Sequence, residues 1–172
     1  REKIEELFGA VERLRAIPGL AGIEYIDDTV EEGYTSPATQ ARAYQILEVL
    51  FPDLLALYAT RLDPVETDPF YLDHYYRPEF TDLVTPYFYP VGTTVLGPQQ
   101  EDDAWEARLR CLLEPLAART PTRERVLPLL QAFEQVGYPI RDGLVRRQLD
   151  VYAEFWPGNR NAAYFWWGGG TS

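Results

Sequence analysis

Prolines constrain the fold of this chain more than any other feature of its sequence. Six fall between residues 63 and 98, namely Pro64, Pro69, Pro78, Pro86, Pro90 and Pro98. Proline lacks the N–H that a helix interior needs, and it disfavours helical geometry in the residue before it. Residues 63–98 are therefore predicted to be mostly irregular, with single helical turns and room for one short hairpin.

On both sides of that segment, apolar residues recur with the helical period. The predicted amphipathic helices cover 2–16, 37–50, 53–62, 101–118, 121–136 and 142–156. Pro52 makes the helix over 53–62 a kinked or restarted continuation of the one before it, so about five helices result. Residues 22–26 are β-prone and allow one brief strand.

These elements predict a mainly α protein, with about five amphipathic helices packed as one orthogonal or bundle-like domain. A chain of 172 residues can bury one core, so a single domain is expected over residues 1–167. The glycine-rich residues 168–172 are predicted to form a flexible tail. No run of about 18 apolar residues is present, so no membrane-spanning segment is expected.

The chain is strongly acidic, and the charge is distributed unevenly. The formal net charge is −11, and residues 1–118 carry 22 acidic and 9 basic side chains. Residues 119–172 carry only 5 acidic side chains against 7 arginines. Such a field repels nucleic acid and attracts basic proteins. A basic protein partner is therefore expected, with neither nucleic acid nor membrane as a partner, while the oligomeric state stays open.

The sequence provides few residues for catalysis or for metal binding. Cys111 is the only cysteine, which excludes an internal disulfide and favours a reducing, cytoplasmic location, with no targeting segment visible. Its helical position turns it away from the apolar stripe of its own helix. His74 is the only histidine, and no nucleophile motif accompanies it. The acidic clusters at 27–32 and 101–103 fit helix capping better than metal ligation. No cofactor, metal or catalytic residue is predicted.

Aromatic residues are concentrated at 70–89 and at the end of the chain. Tyrosine and tryptophan combine an apolar face with a polar group, which suits protein interfaces and sugar rings, although core packing is the simpler interpretation for residues 70–89. The candidate binding residues are Tyr71, Asp73, His74, Tyr75, Tyr76, Glu79, Asp82, Tyr87, Tyr89, Trp166 and Trp167.

Two functional hypotheses follow from these patterns. The first is a non-catalytic protein-interaction module, such as an adaptor, chaperone or immunity-like inhibitor, whose acidic surface and aromatic anchors bind a basic partner. The alternative is a carbohydrate- or small-ligand-binding domain, conceivably a hydrolase, in which the 70–89 aromatic cluster forms a stacking floor. The absence of a catalytic motif favours a protein that is not an enzyme.

Overall fold

The computed structural model of the chain describes residues 10, 13–26, 36–66, 68–90, 104–132 and 142–165. Its strands are β1 (Gly22–Ile26), β2 (Leu55–Arg61), β3 (Leu83–Tyr87), β4 (Leu129–Gln131) and β5 (Ala163–Phe165). Its helices are α1 (Pro37–Leu50), α2 (Tyr71–Tyr75), α3 (Ala104–Arg119) and α4 (Leu144–Phe155). Short 3₁₀ turns cover Asp63–Glu66, Pro78–Phe80 and Arg123–Arg125.

The five strands form one sheet in the order β1-β2-β3-β4-β5, and every neighbouring pair is parallel. This sheet overturns the prediction of a mainly α, bundle-like helical domain. The fold is α/β, with strands that follow one another in chain order as they do in β/α barrels. Because parallel crossovers are right-handed, such an order places the connecting helices on a single face of the sheet.

The main core lies between that face of the sheet and helices α3 and α4. The strands contribute Tyr58, Val84 and Leu130, and the residues directly after β2 and β3 contribute Leu62 and Phe88, each at most 3% exposed. Helix α3 contributes the stripe Trp105, Leu109, Leu112, Leu113 and Leu116, and α4 contributes Val151 and Tyr152. Each fully buried apolar side chain of this size contributes roughly 1.5–3 kcal/mol, so this layer supplies most of the driving force.

Side chains alternate between the two faces of a strand, so the core residues also define the opposite face. We refer to that second face as the inner face. On the three central strands its residues are Leu55, Leu57, Ala59, Arg61, Leu83, Thr85, Tyr87, Leu129 and Gln131. The inner face thus mixes leucines with small and polar side chains.

Several predicted elements are confirmed. Helix α1 begins after Ser36, whose hydroxyl accepts a hydrogen bond from the Thr39 N–H at 3.2 Å, with Pro37 in the first turn. Helices α3 and α4 and the brief strand β1 lie where the apolar patterns predicted them. Of the helix predicted over 2–16, residues 10 and 13–15 are helical, and the rest lies outside the described residues.

Three predicted elements are wrong. Residues 55–61 form strand β2 in place of the predicted helix over 53–62. Of the helix predicted over 121–136, the described residues 121–132 form a 3₁₀ turn and the short strand β4 instead. In the segment 63–98, predicted to be mostly irregular with single helical turns, α2 is such a turn, but residues 83–87 form the central strand β3. None of the helices in the described ranges is long and apolar enough to cross a membrane.

Candidate functional site

The carboxyl ends of the strands lie along one edge of this sheet because every strand runs in the same direction. Ligands of α/β proteins bind at this edge, outside the carboxyl ends of the strands. The strands end at Ile26, Arg61, Tyr87, Gln131 and Phe165. The edge therefore brings together residues that are far apart in the sequence.

Arg61 and Tyr87 are register partners at the ends of β2 and β3, and both belong to the inner face. The backbone continues this alignment, since the Leu62 N–H donates to the Tyr87 carbonyl at 3.1 Å. The rings of Tyr87 and Tyr89 have centroids 5.5 Å apart, with planes inclined by 33°. A guanidinium and a pair of tyrosine rings thus share one end of the sheet.

Helix α3 holds β3 in position beneath this edge. Phe88 is buried, and the guanidinium of Arg108 lies 5.0 Å from the centroid of its ring. This cation–π contact and the surrounding core fix Phe88 on the helix side, so its neighbours Tyr87 and Tyr89 point the other way.

Gln131 ends β4, and α4 fixes its backbone. The Gln148 side chain accepts from the Gln131 N–H at 3.1 Å and donates to the Gln131 carbonyl at 3.2 Å. Both residues are 1% exposed. The side-chain amide of Gln148 thus pairs the buried backbone N–H and carbonyl groups at the end of β4.

Two residues before Arg61 and Tyr87, toward the amino ends of the strands, Ala59 pairs with Thr85 on the same face. Ala59 is 1% exposed and Thr85 is 3% exposed. Within the described part of the chain, the Thr85 hydroxyl has no hydrogen-bond partner. A buried polar atom without a partner costs free energy of folding, so the Ala59–Thr85 pair is a distinctive feature of the inner face.

The tyrosines of residues 71–89, predicted to form one stacking surface, do not lie together in the structure. Tyr71 and Tyr76 are each 1% exposed and belong to the core. The Tyr76 hydroxyl lies 2.7 Å from that of Thr120, and burial raises the pKa of Tyr76. The carbonyl of Tyr75 accepts from the Tyr58 hydroxyl at 2.6 Å. These three tyrosines therefore anchor α2 to the sheet and the core.

The predicted acidic partners of His74 are dispersed as well. Asp73 and His74 are exposed on α2, and Glu79 is exposed in the following 3₁₀ turn. Asp73 forms an ion pair with Arg119, whose hydrogen bond lowers the pKa of the Asp73 carboxyl. These residues do not converge with Tyr87 and Tyr89.

Asp82 lies at the opposite, amino end of the sheet, where it has a structural role. Its carboxylate accepts from the Ala56 N–H at 2.8 Å and from the Tyr44 hydroxyl at 3.2 Å. It thus joins the start of β3 to β2 and to α1. Of the predicted site residues, Tyr87 and Tyr89 are found at the carboxyl edge, and Trp166 and Trp167 lie outside the described residues.

Cys111 is exposed on α3, which confirms that it turns away from the apolar stripe of that helix. The acidic clusters at 27–32 and 101–103 lie outside the described residues. Within the described ranges, no group of three or more His, Cys, Asp or Glu side chains is arranged to hold a metal ion.

Sequence reasoning missed Arg61, Thr85 and Gln131. Their positions depend on the parallel sheet, because a residue at a strand end or on its inner face is meaningful only once the strand is recognised. The available signal was the apolar run 54–59, followed by Thr60 and Arg61, which is typical of a buried parallel strand with a polar residue at its carboxyl end.

Comparisons with known proteins add little to this description. No protein family matches the chain, and no curated protein matches it. Among solved structures, the chain is similar to a β-glucuronidase from Ruminococcus gnavus in complex with uronic deoxynojirimycin, with 13% identity and a TM-score of 0.46. The similarity covers 84% of this chain and 24% of that protein, so the chain spans about a quarter of its length. At this level of similarity, neither fold nor function transfers between two proteins.

Proposed function

We propose that this protein binds a small polyhydroxylated ligand, of the carbohydrate class, at the carboxyl end of the inner face. The observation that carries the proposal is the pairing of Arg61 with Tyr87 at the ends of neighbouring parallel strands, with Tyr89 beside them. This group lies where α/β folds bind their ligands.

The chemistry of these side chains matches a sugar. A tyrosine ring offers an apolar face to the C–H groups of a sugar ring, and its hydroxyl both donates and accepts hydrogen bonds. The planar guanidinium of Arg61 carries several N–H groups, which as a class can donate to ligand oxygens. Tyr89, which is partly exposed, would provide the stacking surface, and Arg61 the polar contacts, while Tyr87 is 7% exposed and supports the Tyr89 ring.

The proposal is binding rather than hydrolysis. Glycoside hydrolysis requires two carboxylates that face each other across the scissile bond. The described strand ends of β2, β3 and β4 carry Arg61, Tyr87 and Gln131 instead. Two of the carboxylates predicted as polar contacts, those of Asp73 and Asp82, have structural partners elsewhere.

The acidic protein-interaction module stays a prediction. This prediction rests on the net charge of −11, and a pull-down at low and high salt tests it. The described ion pairs weigh against an extended acidic surface on α3 and α4, because Glu154 binds Arg110 and Glu106 binds Arg147. A cytoplasmic location is part of our proposal, supported by the single exposed thiol of Cys111.

A thermal-shift screen tests the proposed ligand class. The native protein is screened against methyl glycosides of glucose, galactose, mannose, xylose and glucuronic acid, because binding to the folded state raises Tm. Tyr89→Ala should abolish the shift, since it removes a partly exposed ring at the proposed site. Tyr164→Ala is the matched control, because Tyr164 is 58% exposed and pairs with the core-facing Leu130.

The screen separates three results. A shift that is lost in Tyr89→Ala and kept in Tyr164→Ala supports the proposal. A shift that both variants keep means that the sugar binds elsewhere. No shift for any glycoside at millimolar concentration contradicts carbohydrate binding.

A further inference from the structure

A cavity opens at the amino end of the sheet, opposite the edge proposed to bind carbohydrate. Its volume is about 330 Å³, and it lies between residues 14–20, which precede β1, and residues 50–54, which precede β2. Pockets that bind small molecules typically have volumes of about 300–1,000 Å³. The cavity is therefore large enough for a small organic ligand.

The exposure of the lining residues shows that solvent reaches this cavity. Its most buried lining residue is Phe51, which is 6% exposed. The walls are leucines of intermediate exposure, namely Leu14, Leu20, Leu50 and Leu54. The exposed lining residues are Arg15, Ile17, Pro52 and Asp53. A ligand thus has an open path from solvent to an apolar interior.

Backbone hydrogen bonds hold both segments around the cavity in place. The Leu55 N–H donates to the Ala21 carbonyl at 3.0 Å, which joins the two segments where their strands begin. The Leu54 N–H donates to the Phe51 carbonyl at 3.0 Å and closes a turn in the second segment. Gly19 turns the first segment with a φ of +75°, which glycine adopts without strain. The cavity is therefore formed in the free protein, as is usual for small-molecule sites.

Two side chains of opposite charge accompany the apolar lining. The Arg15 Nη2 donates to the Leu50 carbonyl at 2.6 Å, and the guanidinium lies 5.7 Å from the centroid of the Phe51 ring. These contacts hold the guanidinium beside the most buried part of the cavity. A guanidinium carries five N–H groups, so it can bind several acceptors at once. Asp53 contributes a carboxylate from the other segment.

We propose that this cavity binds a free α-amino acid with a large apolar side chain, such as leucine or phenylalanine. The α-carboxylate accepts hydrogen bonds from Arg15, the α-ammonium donates to Asp53, and the side chain packs against the leucines and Phe51. Because the lining carries one positive and one negative group, it complements a zwitterion better than a ligand with a single charge. This site is separate from the proposed carbohydrate site and does not depend on it.

Titration calorimetry on the native protein tests the ligand class. L-leucine and L-phenylalanine are compared first, and the tighter of the two is then compared with analogues that each lack one feature. Its amide lacks the carboxylate, its des-amino acid lacks the ammonium group, and alanine lacks the large side chain. The parent amino acid should bind with a Kd below about 1 mM. Each analogue should bind at least about tenfold more weakly, because it loses a charge-assisted hydrogen bond or buried apolar area.

Four substitutions test whether the amino acid binds in this cavity. Arg15→Gln and Asp53→Asn each remove one charge of the lining and should weaken binding by about tenfold. Arg13→Gln and Glu48→Gln are the matched controls, because they remove the same charges from exposed residues outside the described lining. They should change the affinity by less than about twofold. If Arg15→Gln does not fold without its bond to Leu50, the analogue series and Asp53→Asn still decide the question.

The outcomes separate cleanly. Binding of the parent amino acid that is weakened in every analogue and in both cavity variants supports the inference. Equal binding of the amide or of the des-amino acid would show that only one charge is recognised, which contradicts a zwitterion site. Binding that both cavity variants keep means that the amino acid binds elsewhere, and the inference is then wrong. It is also wrong if neither amino acid binds at millimolar concentration, whatever the carbohydrate screen shows.

Discussion

Arg61 and Tyr87 are register partners on neighbouring parallel strands, and each is the last residue of its strand. Every strand of the sheet runs the same way, so this pair marks the carboxyl edge for the whole molecule. Ala59 and Thr85 form the preceding register pair on the same face, and the Tyr89 ring lies beside that of Tyr87. The proposed function follows from this one alignment.

Replacement of Tyr76 by phenylalanine should reduce stability and leave sugar binding intact. The Tyr76 hydroxyl lies 2.7 Å from that of Thr120, and both residues are 1% exposed. Tyr76→Phe leaves the Thr120 hydroxyl without this partner, at an expected cost of about 1–2 kcal/mol in the free energy of unfolding. Urea denaturation measures the change. An unchanged stability would mean that the hydrogen bond between Tyr76 and Thr120 does not form. A loss of sugar binding would mean that Tyr76 contributes to the proposed carbohydrate site.

Replacement of Gly22 by alanine should weaken the pairing of β1 with β2. A methyl group at Gly22 would overlap with Leu57 Cδ1 and lie 2.8 Å from the Leu55 carbonyl oxygen. Overpacking of this kind typically costs about 1–3 kcal/mol, which denaturant unfolding resolves. A variant as stable as the native protein would show that β1 is not seated this closely against β2.

Tyr44 should titrate later than an ordinary tyrosine. Burial and the neighbouring carboxylate of Asp82 raise its pKa from 10.0 to about 12. The folded state holds this proton more tightly than the unfolded state, so the associated stability is present below pH 10 and is lost as the pH rises toward 12. Tyr76 also titrates late because it is buried, so the test is a difference: the tyrosinate absorbance near 295 nm that develops around pH 12 should be smaller by one group in Tyr44→Phe. A titration that is identical in both proteins would contradict this assignment.

Replacement of Leu113 by alanine should be among the most damaging changes in the core. Leu113 is fully buried on α3, within the layer that joins this helix to the sheet. Truncation leaves a cavity at an expected cost of about 2–5 kcal/mol. Val49→Ala is the control, because Val49 is 78% exposed on α1 and should change stability by less than about 0.5 kcal/mol. Equal effects in thermal unfolding would contradict the placement of the core.

The sequence predicted helices correctly where local signals were strong. Ser36 and Pro37 define the start of α1 through a cap and a favourable first-turn residue, which act within a few residues of the chain. The stripe containing Trp105 and Leu109 defines α3 because its period of 3.6 extends over four turns. Such signals need no knowledge of the rest of the fold.

Strand β2 was missed because its sequence does not alternate. The strand is covered on both faces, so its apolar run 54–59 lacks the period of two that marks a half-buried strand. A short apolar run of this kind is ambiguous between a helix and a buried parallel strand. Pro52 was consistent with both interpretations, and the helical one was wrong.

Strand β3 was missed because Pro86 argues against a central strand. The structure tolerates it because contacts between β3 and β4 are sparse. Leu127 donates to the Val84 carbonyl at 2.9 Å, and the next register pair is Tyr87 with Leu129. Pro86 falls between these contacts, and its carbonyl accepts from the Tyr152 hydroxyl at 3.2 Å. The site residues on β3 could not be predicted without this tertiary arrangement.

The most direct test of carbohydrate binding at the carboxyl edge is to map the binding surface by NMR. Backbone amide shifts are followed while the methyl glycoside with the largest thermal shift is titrated into the labelled protein. We expect the largest changes at Arg61, Tyr87, Tyr89 and Gln131, with small changes at Asp73 and His74 on α2. Changes centred on α2, or no changes with any glycoside of the panel, would contradict the proposed site.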